Sequence, residues 1–133
     1  MKTAKKVAGI VLFATLVAGS IASAETMMST VPSSSKTVSD WYKQDVYDQS
    51  NSSIGKIDDV LVSESGQINA LIIGVGGFLG AGEKDVAVPF TAVKMTSRDN
   101  KNRLTMNTTK DELKSAPGLK YDRDKTAWVP ANK

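Results

Sequence analysis

IIGVGGFLGAGEKDVAVPF, residues 72–90, places five glycines in the nine positions 74–82, between two apolar runs. If these glycines cradle a phosphate, the chain is a nucleotide-binding α/β protein. If they only widen a turn, it is a β-protein. The dinucleotide fingerprint GxGxxG fits at Gly74 and Gly76, but Leu79 stands where the last glycine belongs. The phosphate loop GxxxxGK[ST] fits from Gly77 to Gly82 and then fails, because Glu83 follows and Lys84 comes one place late. Both motifs need a helix to open after the loop, so that its first amides face the anion. Val86-Ala87-Val88-Pro89 follows instead, a strand pattern ending in proline. Gly76, Gly77, Gly80 and Gly82 are therefore expected to shape a wide turn.

Working outward, apolar residues alternate or run together in short stretches bounded by turn residues. Val46-Tyr47 is a strand candidate, closed by the turn-forming residues 48–53. Residues 54–62 (IGKIDDVLV) are a second, and Asp58-Asp59 breaks their alternation as a bulge would. Ser63-Glu64-Ser65-Gly66 is a hairpin turn, and residues 68–73 (INALII) are a strand fit for burial on both faces. Val86, Val88 and Phe90 alternate; Val93 and Met95 continue, residues 98–102 (RDNKN) turn the chain, and Leu104 and Met106 alternate again. The one helix signal is a capping box at Thr109-Lys110-Asp111-Glu112, stopped by Pro117-Gly118. The expected fold class is mainly β, a small barrel of about six mostly antiparallel strands with one short helix near the C-terminal end.

The first residues read as a secretory leader. Lys2, Lys5 and Lys6 precede an uncharged apolar run, and Ala22-Ser23-Ala24 supplies small residues for cleavage before Glu25. The run is shorter than the roughly 20 residues of a membrane span. The expected organisation is a signal peptide at 1–24, a flexible Ser/Thr-rich segment at 25–39, the folded domain at 40–120 and a tail at 121–133. The tail either docks on the body or pairs at an edge. Cleavage leaves a periplasmic or secreted protein. Taking the three leader lysines from 17 Lys+Arg leaves 14, against 14 Asp+Glu, so the cleaved chain is neutral. Bulk charge then favours no nucleic acid, and peripheral membrane contact is not predicted. Cysteine and histidine are absent, which removes disulfides, thiolate or imidazole metal sites and Ser–His–Asp or Cys–His catalysis.

Val46-Tyr47-Asp48, Ile54-Gly55-Lys56-Ile57, Asp59-Val60-Leu61-Val62, Gly66 and above all Gly76-Gly77-Phe78-Leu79-Gly80, Gly82, Lys84 and Val86-Ala87-Val88-Pro89 resemble the PRC-barrel domain. The resemblance spans about residues 40–120 and is nearest to small secreted bacterial proteins with one such barrel. It implies a β-barrel that serves interaction or assembly, with no catalytic residues, no cofactor and no metal. The implied partner is an envelope protein or a second copy of the chain.

Phe78, Leu79 and Lys84 are the expected partner-binding residues, an apolar loop tip beside a cation. The bland reading of the same tip is a plug for one end of the barrel. An exposed strand edge is a second route to a partner, by β-augmentation. The alternative function is capture of a small ligand or anion by the loop amides with Lys84. Other candidates are weaker. Asp58 and Asp59 would diverge on a regular strand. Asp122-x-Asp124 lacks the Gly and closing Glu of a calcium loop. The SxxK matches at Ser33–Lys36 and Ser53–Lys56 have no helix to stand on. Trp41, Tyr42 and Trp128 are expected to anchor packing.

Overall fold

Strand-forming residues and turn residues alternate throughout the computed structural model, which describes residues 25–76 and 82–131. The expected leader, residues 1–24, lies outside the described residues. Residues 25–35 carry turns and coil, with Ser35 N–H donating to the Pro32 carbonyl at 3.0 Å.

The body begins with a 3-10 turn, Val38–Asp40, and continues through β1 (Asp45–Tyr47), β2 (Ser53–Val62), β3 (Ile68–Val75), β4 (Lys84–Pro89), β5 (Val93–Arg98) and β6 (Lys101–Met106). Helix α1 (Lys110–Lys114) and two more strands, β7 (Leu119–Asp122) and β8 (Ala127–Pro130), complete it. All eight strands form one sheet in the order β5-β6-β1-β2-β3-β4-β7-β8. Every pairing is antiparallel except β1 with β6. Eight strands replace the expected six because the C-terminal stretch pairs too. The boundary drawn at residue 120 falls inside β7, and β7–β8 is a hairpin joined to β4 through Asp85 and Leu119.

Turn chemistry explains the hairpins. Gly66 takes φ +89 between β2 and β3. Asp99 and Asn100, at φ 53 and 64, form the two-residue loop between β5 and β6, and Asn and Asp tolerate this left-handed region. Residues 48–52 are held by the Asp48 carboxylate, which accepts the amides of Ser50 and Ser52 at 2.8 and 2.9 Å. Thr109 caps α1 as its sequence foretells. Its hydroxyl accepts the Glu112 amide at 3.0 Å, and the Glu112 carboxylate accepts the Thr109 amide at 3.0 Å.

The sheet curls around one core. Val46, Ile54, Ile57, Leu71, Ile73, Val75, Val86, Val88, Val93 and Leu104 meet there from β1 to β6, closed by Leu113 of α1 and Trp41. Trp41 packs against Phe90 with ring centroids 5.3 Å apart, while Tyr42 stays exposed. From Leu71 to Val75, β3 is buried on both faces, as its apolar run suggests. Ile72 faces away from the core cluster and is nevertheless fully buried. Asp59, the cross-strand partner of Ile72, meets the β7–β8 hairpin on that outer side. The indole N–H of Trp128 donates to Asp59 Oδ2 at 2.7 Å, which carries the hairpin back across β4 and β3 to β2.

Candidate functional site

Two regions of the surface carry chemistry, one at the root of the glycine loop and one between β1, β5 and β6. At the loop root, Gly76 follows β3 and Gly82 precedes β4 with φ +75, a conformation that favours glycine. Gly76 keeps φ out of the left-handed region, and a side chain there would meet open space. Gly77, Phe78, Leu79 and Gly80 lie outside the described residues. Lys84, expected to face a partner, reaches along the surface to α1. Its Nζ donates to the carbonyl of Lys114, the last residue of α1, and its methylenes run beside Gly118. This ammonium satisfies a helix C-terminus that would otherwise present unpaired carbonyls.

Three carboxylates gather at the same root. β2 gains one residue at Asp58, because Ile57 pairs with Ile73 and Asp59 with Ile72. That bulge sends both aspartates to the outer side: Asp59 to Trp128, and Asp58 over Gly74. A Cβ on Gly74 would also meet Glu83 Oε2, at 2.7 Å, so glycine leaves room for the carboxylates. Asp85 pairs with Gly74 on the neighbouring strand. Its carboxyl is pushed up to about 7, first by burial, then by its hydrogen bond with Asp58 and by the charges of Asp58 and Glu83. Lys43, 3.7 Å from Asp58, pulls the other way.

Folded Asp85 holds its proton to about pH 7, whereas the unfolded chain releases it near 3.8. Its contribution is therefore complete below the unfolded value and is lost as pH rises through the folded one. Asp85→Asn, which mimics the protonated acid, is expected to stabilise the protein more at about pH 8 than at about pH 4. Urea unfolding at the two pH values reads the difference. An equal effect at both would show that Asp85 titrates normally.

The second region was not singled out from the sequence. Leu104 of β6 pairs with Val46 of β1, both buried, so Lys101, Arg103, Asp45 and Tyr47 share the outer face. Arg98 pairs with Lys101 and Lys94 with Thr105, which adds Lys94 and Arg98 to that face. β5 and β6 together carry these four cations and no carboxylate. Arg103 is held in place. Its guanidinium sits 4.1 Å from the Tyr47 ring centroid and donates to Asn51 Oδ1. A polar cleft of about 710 Å³ opens here, in which the cations Arg98, Lys101 and Arg103 face the carboxylates Asp40, Asp45 and Asp99. The one ion pair within 4.0 Å among the described residues is Lys43–Asp58, so none of these cations is neutralised by such a contact. Residues 93–106 hold four cations and Asp99 in the sequence, and pairing of β5 with β6 brings the four cations to one face.

A small curled β-sheet around one apolar core, closed by a short capped helix, defines the class of the protein. Residues 35–113 match the PRC-barrel domain, which is more than half of the chain, and the chain belongs to that family. The family is generally non-catalytic. No curated protein matches the chain.

Proposed function

We propose that this chain is a non-catalytic module that binds or assembles with a protein of the cell envelope, after cleavage of a leader near Ala24. The leader pattern and the family support this reading, and one structural observation carries it: β5 ends the sheet. Among the described residues β5 pairs only with β6, and Lys94, Thr96, Ser97 and Arg98 are exposed along it. An unpaired row of amides and carbonyls is a template for an added strand. Phe78 and Leu79 of the loop remain a second contact in this proposal.

Anion capture by the glycine loop is the poorer alternative. Asp58, Glu83 and Asp85 surround the loop root, and Lys84 is engaged by α1. An oxyanion approaching there meets Asp58 and Glu83, and shares the Lys84 ammonium with the Lys114 carbonyl.

The test is in-cell crosslinking of wild type, Ser97→Pro and Phe78→Ser/Leu79→Ser, each shown to fold. Arg98 and Lys101 flank a two-residue loop, so ladder hydrogen bonds alternate from them and the Ser97 amide faces the outer edge. Proline there removes an edge donor and spares the β5–β6 ladder. A partner captured by wild type and lost from Ser97→Pro is the expected result. Loss only from the double loop variant would move the contact to Phe78 and Leu79. The absence of any captured partner would overturn the module reading.

A further inference from the structure

We infer that the β5 edge recognises an extended acidic segment of a partner protein, the carboxylates of which pair with the cations on the outer face of β5 and β6. The inference rests on the interaction reading above and names the chemistry of the partner. Three observations converge. The edge is unpaired among the described residues. Its outward side chains are Lys94, Thr96 and Arg98, and Lys101 and Arg103 stand one strand further in. Arg103 is pre-positioned by Tyr47 and Asn51 on the same outer face.

The spacing fits. Alternate residues on a strand lie roughly 7 Å apart, so acids at every second position of an added strand stand opposite Lys94 and Arg98. Longer side chains reach toward Lys101 and the guanidinium of Arg103, whose planar fork suits a carboxylate. The same charges work against the other occupant of an edge. A second copy paired antiparallel about Thr96 would set Lys94 opposite Arg98, and like charges directly opposite destabilise a pair. Lysines on edge strands commonly discourage pairing in this way. An acidic strand converts that protection into selection.

The probe is a ten-residue peptide of alternating glutamate and threonine, compared with its glutamine counterpart, titrated against the full folded chain. Binding should be about tenfold tighter for the glutamate peptide, and should weaken as salt is raised from about 0.05 to about 0.5 M. Lys94→Gln/Arg98→Gln should lose about fivefold, while Arg123→Gln, which removes a charge from the β7–β8 turn, should leave affinity unchanged. Equal binding of the two peptides, or none, overturns the inference. So does an effect of Arg123→Gln equal to that of the edge variant. A partner crosslinked in cells with no preference for the acidic peptide would leave the module reading standing and overturn this one alone.

Discussion

Trp128→Ala should lower the unfolding free energy by about 2–3 kcal/mol, below the full cost of a completely buried tryptophan because this side chain is half-buried. Three losses combine. The indole no longer donates to Asp59, which leaves a partly buried carboxylate oxygen without that partner. The edge-on contact with Tyr121, at 5.7 Å between centroids, disappears. The hairpin loosens beside Asp59, and its cross-strand partner, fully buried Ile72, gains access to water. One register pair, Asp85 with Leu119, joins the hairpin to β4, so little else holds it. Trp128→Phe separates the contributions. It keeps an aromatic ring and loses the hydrogen bond, and about 1 kcal/mol is expected. Urea unfolding followed by circular dichroism measures both. Unchanged stability in Trp128→Ala would mean that the hairpin covers nothing of consequence.

Gly55→Ala should cost about 1–3 kcal/mol, although the change adds a single methyl group. Gly55 pairs with buried Val46 and so faces the core. A Cβ there would stand 2.6 Å from Ile73 Cγ2 and 3.0 Å from the Gly74 carbonyl oxygen. The first obstacle belongs to a β-branched side chain that is fully buried, and the second is backbone, so neither yields cheaply. The double variant Gly55→Ala/Ile73→Leu tests the cause. Leucine lacks the offending γ-methyl branch, and it should recover part of the loss, giving a coupling larger than the error of additivity. Purely additive costs would place the strain elsewhere.

The two changes differ in how far they could be foreseen. Gly55 belongs to the strand motif that resembles the family, yet its reason, a close approach to β3, is a cross-strand fact. Trp128 reads from sequence as a packing anchor in the tail, with no sign of what it packs on. Its partner Asp59 lies 69 positions away, and the bulge at Asp58 is needed to aim that aspartate. The carboxylates at the loop root show the same division. Asp58 and Asp59 are conspicuous as a pair, but Glu83 and Asp85 join them only because Gly74 pairs with Asp85 and leaves space. Lys84 reads as a loop cation until α1 is placed beside it.

Local features were legible in the chain before folding: strand alternation, the turns at Gly66 and within residues 98–102, the bulge in β2, the Thr109 capping box and the failure of both phosphate motifs. Each depends on residues within a few positions of one another, where backbone preference and side-chain capping act directly. Distant pairings decided that β5 and β8 end the sheet, which face Lys94, Arg98, Lys101 and Arg103 share, and that Trp128 reaches Asp59 beside Ile72. Those outcomes depend on pairings between distant residues, selected by burial of the whole core rather than by any short segment.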